Sequence, residues 1–172
     1  MNWALFCLIL FCQKPDADTI AIRAGKIETV SKGAIESGTM IVKNGRIVSL
    51  GKDLAVPEGV RTIDLGQNTV LTPGFIDAHS YLGSVSDVEE FTEAVTPQVH
   101  ALDAFASQRD EVREALSSGV TLVSISPGPG NLVAGRTGLV RLTGTRLDRM
   151  IYRNPHGLKI GLTDWVLRRN RK

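Results

Sequence analysis

The chain has 172 residues and a mass of 18.6 kDa, enough for one domain or one and a fraction, and too short for a complete large enzyme barrel with accessory parts. Hydrophobic residues make up 42% and charged residues 22%, which excludes both wholesale disorder and a polytopic membrane protein. The net charge of +2 hides an asymmetry: residues 1 to 148 carry 13 basic against 17 acidic groups, whereas residues 149 to 172 carry 7 basic against 1 acidic. The terminal cluster Arg168, Arg169, Arg171 and Lys172 has no helix-turn-helix, RNA-binding or zinc-finger spacing beside it, and few aromatic residues to stack bases. Nucleic acid is therefore not an expected partner, and a solvated, frayed C-terminus is the expected form.

At the N-terminus an unbroken apolar run, Trp3 to Cys12, is too short to span a bilayer and has the length of a signal-peptide core. Residues 1–18 are thus expected to be a leader and the protein secreted or periplasmic. The competing expectation, a buried first element in a cytoplasmic protein, has the polar break Gln13-Lys14-Pro15-Asp16 against it. Both cysteines, Cys7 and Cys12, lie in this segment, so the mature chain would have neither a disulfide framework nor a cysteine metal site.

Residues 19–72 read as a small β domain. Ile20, Ile22 and Ala24 alternate with Ala21 and Arg23, and Met40 and Val42 precede Lys43-Asn44-Gly45-Arg46, after which Ile47 and Leu50 resume. Asn44-Gly45 predicts a type I′ hairpin, because that turn needs positive φ at both central residues. A further strand pair is expected over Arg61–Asp64 and Thr69–Thr72, turning at Gly66-Gln67-Asn68, which makes the region antiparallel.

From residue 73 the pattern changes. Val70 to Ala78 is nearly continuous in apolar residues and predicts a strand buried on both faces. Asp87, Glu89, Glu90 and Glu93 follow in a loop or short helix. A helix is predicted over Phe105–Ser118 with Gly119 as its C-terminal cap, then a β-branched strand Thr121–Ser126. Strand, helix, strand predicts a right-handed crossover between parallel strands.

The segment PGFIDAHSYLG, Pro73 to Gly83, carries the candidate chemistry. Residues two apart on a strand share a face, so Asp77, His79 and Tyr81 are expected side by side near the C-terminal strand end, where α/β folds place their sites. This segment resembles the first barrel strand of the amidohydrolase superfamily, which ends in Pro-Gly-(Phe/Leu)-Ile-Asp-x-His-x-His-x-Gly. Within it, the imidazolonepropionase-like and dihydroorotase-like group is the most similar. GTMIVKNGRIVSLG and TIDLGQNTVLTPG are similar to that family's small strand-rich domain. VTPQVHALDAF, ALSSGVTLVSISPGPGNLVAGRTGLV and NPHGLKIGL are similar to segments further along.

The resemblance implies an α/β fold in which a small antiparallel β-sandwich-like domain, 19–72, precedes the first strands and helix of an incomplete TIM-type barrel, 73–172. It implies a hydrolase of carbon–nitrogen bonds other than peptide bonds, acting on a small-molecule substrate with a divalent metal such as zinc. His79 would be a metal ligand or, without its partners, a polar residue packed near the strand mouth, and Tyr81 stands where the family has its second histidine, although a phenol ligates zinc poorly compared with imidazole. The family's remaining ligands, a carboxylated lysine, two histidines and an aspartate, belong to later strands that the chain is not expected to reach. The alternative is a non-catalytic truncated module that self-associates, pairs with a complementing chain or is an inactive fragment.

Other candidates are weaker. PGPGNLVAGRTG lacks the order of a phosphate loop, so a loop at the barrel mouth is expected, with Asn131 and Arg136 as contacts. No Gly-x-Ser-x-Gly elbow exists, and Ser80 is expected on the strand face opposite His79. His100, and His156 in an expected turn at Asn154-Pro155-His156-Gly157, are assigned surface or capping roles.

Overall fold

A computed structural model describes residues 18–84 and 92–169. The expected leader therefore falls outside the described residues except for Asp18, as do Asp87, Glu89, Glu90, Arg171 and Lys172. The chain divides into two compact units at Pro73/Gly74. No helix of the described residues is long and apolar enough to cross a membrane.

In the first unit β1 (Thr19–Glu28) pairs antiparallel with β2 (Ala34–Lys43), and β2 pairs antiparallel with β3 (Arg46–Lys52). The β2–β3 turn is the expected one: Asn44 and Gly45 have φ of 50° and 70°, and Lys43 pairs with Arg46. The expectation of an antiparallel sandwich is corrected. β4 (Arg61–Asp64) and β5 (Val70–Leu71) do not pair with each other; both lie parallel on β1, against Ile20–Arg23 and Lys26–Ile27, so the described strands of this unit form one mixed sheet.

The reason lies at Leu65–Thr69, which bulges outward and continues in the same direction instead of reversing. Asp64 Oδ1 accepts from the Gly66 N–H at 2.8 Å and the Thr69 hydroxyl donates to the Gly66 carbonyl at 2.6 Å. The central strand donates across the bulge, from Gly25 N–H to the Gly66 carbonyl and from Lys26 N–H to the Thr69 carbonyl. Gly25 is required there because a Cβ would fall on the Gln67 carbonyl. The small core of this sheet consists of Ala21, Ala24, Ile27 and Ile41.

The second unit begins with β6 (Phe75–Ser80), crosses over through a 3-10 turn at Ala101–Ala104 and α1 (Asp110–Ser117), and returns as β7 (Val120–Ile125) parallel to β6. The expected crossover is present, but the helix begins at Asp110, five residues later than expected. Gly119 follows α1 with φ of 94°, as a cap of this kind requires. The sheet then turns antiparallel through β8 (Val133–Arg141) and β9 (Ile151–Ile160), in the order β6-β7-β8-β9. α2 (Leu147–Met150) and α3 (Asp164–Arg169) flank β9 in sequence.

Three further expectations are corrected. Val70 to Ala78 is not one strand buried on both faces: Pro73-Gly74 separates β5 from β6, and as an edge strand β6 leaves Phe75 and Ile76 63% and 66% exposed. The Asn154–Gly157 turn is a bulge within β9, since Thr137 pairs with Gly157 but Leu139 pairs with Arg153. The frayed C-terminus is ordered through Arg169, with Val166 of α3 buried.

The core of this unit follows strand alternation. Val123 and Ile125 of β7 and Val140 and Leu142 at the end of β8 point to one side, where Leu102, Phe105, Val112 and Met150 cover them. Ser124 and Ser126 therefore point to the other side.

Candidate functional site

The opposite face of the second sheet holds an open groove of about 500 Å³, lined by Ser124, Ser126, Thr137, His79, His156 and Lys159 among others. Register assembles it: Gly135 pairs with Lys159 and Thr137 with Gly157, so alternate residues of β8 and β9 share this face. Ser124 and Ser126 are 4% and 1% exposed, and their hydroxyls, like that of Thr137, make no hydrogen bond among the described residues.

At one end of the groove Lys159 draws three groups together. Its ammonium lies 2.9 Å from His79 Nε2 and donates to Tyr81 Oη at 2.6 Å and to the Pro127 carbonyl at 2.9 Å. It also sits 4.8 Å from the Tyr81 ring centroid. The His79 and Tyr81 rings meet edge to face, with centroids 5.2 Å apart. As an ammonium has only donors, His79 accepts at Nε2 and keeps its own proton on Nδ1. No carboxylate pairs with Lys159 among the described residues.

The expected neighbours His79 and Tyr81 are thus brought together, and Lys159 is the residue that sequence reasoning missed. Its only local signal was a single cation between Leu158 and Ile160 on a strand; it meets His79, 80 residues earlier, although β6 and β9 are the outer strands of the order β6-β7-β8-β9, so strand adjacency does not bring the two together. Asp77 is turned away from ligand duty, since its Oδ1 accepts the His79 backbone N–H at 3.1 Å. Ser80 Oγ accepts from the Leu82 N–H.

Arg136 is on β8 rather than in a loop, with its Nε donating to the Pro97 carbonyl at 3.0 Å. Asn131 is buried and donates to Thr96 Oγ1 at 3.3 Å, so it holds two segments together instead of facing the groove mouth. His100 precedes the 3-10 turn and bridges to Arg136, and His156 lies on β9 at the groove.

A divalent metal does not fit the described residues. The Nε2 lone pair of His79 faces an ammonium, where a second cation would be repelled, and Tyr81 Oη accepts from the same ammonium. No three His, Cys, Asp or Glu side chains converge among the described residues, whereas a catalytic zinc site takes about three protein ligands.

The ring-bearing residues His79 and Tyr81 thus gather at the end of the first parallel strand of an α/β unit. The chain belongs to the amidohydrolase superfamily, of which it carries an N-terminal portion. The structure is similar to that of an amidohydrolase from Thermotoga maritima, with a TM-score of 0.79 and 30% identity over 87% of this chain and 40% of that one. In sequence it is 38% identical over 63 residues to a dihydroorotase of Geobacter sulfurreducens, covering 37% of this chain and 15% of that protein. It is 29% identical over 120 residues to an adenine deaminase of Listeria monocytogenes, covering 70% of this chain and 17% of that protein. With an imidazolonepropionase of Streptomyces avermitilis it shares 25% identity over 141 residues, 72% of this chain and 34% of that protein. The chain therefore spans only about a third of these curated relatives at most. No family model matches it.

Proposed function

We propose that this chain is the ligand-facing N-terminal part of a hydrolase of carbon–nitrogen bonds other than peptide bonds, acting on small cyclic amides or imides, and that these 172 residues bind such a molecule without turning it over. The observation that carries the reading is the groove beside His79, at the end of the parallel β6–β7 pair. His79 and Lys159 fix each other's position, and the hydroxyls of Ser124, Ser126 and Thr137 offer neutral hydrogen bonds to amide N–H and C=O groups. The parallel β6–β7 crossover supports reading this unit as the opening of a TIM-type barrel.

The test is calorimetry of the full chain with hydantoin and dihydroorotate, alongside a hydrolysis assay with and without zinc. Binding without turnover is expected, and Tyr81→His should create none, because a second imidazole still leaves the set short of ligands. Metal-dependent turnover by the chain, or no binding of either compound, would overturn the reading.

A second reading, a non-catalytic module that associates with itself or with a complementing chain, is favoured by the outer strands of the second sheet. Phe75 and Ile76 on β6 and Leu158 and Ile160 on β9 are exposed apolar residues on the outer strands of this sheet among the described residues. Sedimentation of the purified chain should show self-association under this reading. A compact monomer at all concentrations would contradict it.

A further inference from the structure

The outer strands of the two sheets differ in whether they can take up another strand, and length, capping and charge make the difference. In the first sheet β4 has four residues and β5 two, too few for a stable pair. A second β3 laid antiparallel on β3 about Ser49 would set Arg46 against Lys52, like charges directly opposite each other. In the second sheet β6 has six residues, and its His79 N–H is already taken by Asp77 Oδ1. β9 has none of these guards. It runs for ten residues, Ile151–Ile160, with Ile151, Tyr152, Leu158 and Ile160 exposed. Beyond its pairing with β8, its backbone has no hydrogen-bond partner among the described residues.

We propose that β9 pairs antiparallel with β9 of a second copy of this chain, about a two-fold axis between Pro155 and His156, so that one sheet runs through both chains. In that register Ile151 faces Ile160 of the second copy, Tyr152 faces Lys159, Arg153 faces Leu158 and Asn154 faces Gly157. Each cation thus lies opposite an uncharged side chain. The two Arg153 side chains are offset by about 17 Å along the strands, beyond the Debye length of physiological salt. No carboxylate lies on β9, and none is needed when the facing strand is β9 itself. Ile151 and Ile160 meet at both ends of the pair and take from water the apolar surface that one chain leaves exposed. Pro155 has no N–H to give and stands in the bulge, so the new hydrogen bonds belong to the flanks, Ile151–Arg153 with Leu158–Ile160. Gly157 and Lys159 line the groove, so Asn154 and Tyr152 of the second copy arrive at its β9 rim. The proposal rests on the reading of the chain as a self-associating module and names the surface and the number of copies.

The experiment is sedimentation velocity of the full chain over a wide concentration range. A reversible monomer–dimer equilibrium that stops at two is expected, because an isologous interface uses up the β9 edge of both copies. Arg153→Cys and Leu158→Cys, each in a chain with Cys7→Ser and Cys12→Ser, are then mixed and oxidised. The mixed disulfide should form at least about fivefold faster than either like pair, since residues directly opposite lie within disulfide reach and like positions do not. Leu158→Glu should tighten the dimer about threefold or more by placing a carboxylate opposite Arg153, and adding Arg153→Glu should abolish that gain. In the wild type, amide exchange at Ile151–Arg153 and Leu158–Ile160 should slow as concentration rises, with no change in β3 or β6.

A dimer whose mixed disulfide forms no faster than the like pairs and whose β9 amides gain no protection would overturn the β9 pairing and leave self-association standing. A compact monomer at all concentrations would overturn both. Open-ended assembly beyond two copies would also overturn the proposal, since it joins unlike edges. If a cysteine variant fails to fold, the concentration-dependent exchange of the wild type decides the matter.

Discussion

The two sheets of this protein are built on different rules, and the difference shows where chemistry can lodge. In the first, β1, β2 and β3 are joined in sequence order by short antiparallel turns, and its groove of about 250 Å³ is lined by Arg23 together with Asp53 and Asp64, opposite charges in one place. In the second, β6 reaches β7 only after a long crossover, and the groove beside β6, β7 and β9 holds the Lys159 cation without a lining carboxylate. Charges that neighbours already balance have little left for a ligand, whereas Lys159 has only neutral acceptors against it among the described residues. The second sheet is thus the one with a binding function to test.

The largest expected effect probes the core behind that groove. Ile125 is fully buried between β7 and its helical cover, so Ile125→Ala should cost about 4 kcal/mol through lost burial and an unfilled cavity. Chemical denaturation gives the magnitude, and hydrogen exchange should show the loss in β6 to β9. An equal loss of protection across β1 to β3 would break the distinction between the sheets.

Gly25→Ala is the matching test for the first sheet. The added Cβ would meet the Gln67 carbonyl, a backbone atom that can retreat only by detaching β4 and β5 from β1, and about 3 kcal/mol should be lost. Unchanged protection of Lys26 and Leu65 amides would show that the bulge does not hold the edge in place.

Gly45→Ala separates turn conformation from crowding. Nothing lies within 4 Å of an added Cβ, yet φ is 70°, so only the left-handed conformation is penalised and about 1 kcal/mol is expected. The smallest effect belongs to Arg113→Ala on α1. Its 2.6 Å pair with Asp110 is largely exposed, and a change within about 0.5 kcal/mol is expected from thermal unfolding. A loss above that size would mean the surface charges of the second unit contribute more than solvent screening allows.

Legibility in the sequence followed the range of the interaction. The Asn44-Gly45 hairpin, the cap at Gly119 and the β6–β7 crossover were readable because positive-φ turn residues and hydrophobic periodicity act over a few residues. The relation of β4 to β5 was not: Gly66-Gln67-Asn68 looks like a reversing turn, and only the hydrogen bonds from Gly25 and Lys26 of β1 turn it into a bulge. The helix start at Asp110 was misplaced because Phe105 and Leu102, apolar at helical spacing, serve the core from irregular backbone and a 3-10 turn.

By itself the sequence determined the family, the mixed strand-and-helix texture and the placing of His79 and Tyr81 near one strand end, since all of these depend on local pattern and on a motif of contiguous residues. Only the tertiary structure decided that both rings meet Lys159, 80 and 78 residues away, and that Ser124, Ser126 and Thr137 share its groove. The reason is that strand register, including the bulge between Thr137 and Leu139, is fixed by packing of the opposite face, where Val123, Ile125 and Val140 are buried. Burying those residues turns the alternate ones toward the groove, and no short-range signal in the chain records which strands will lie side by side.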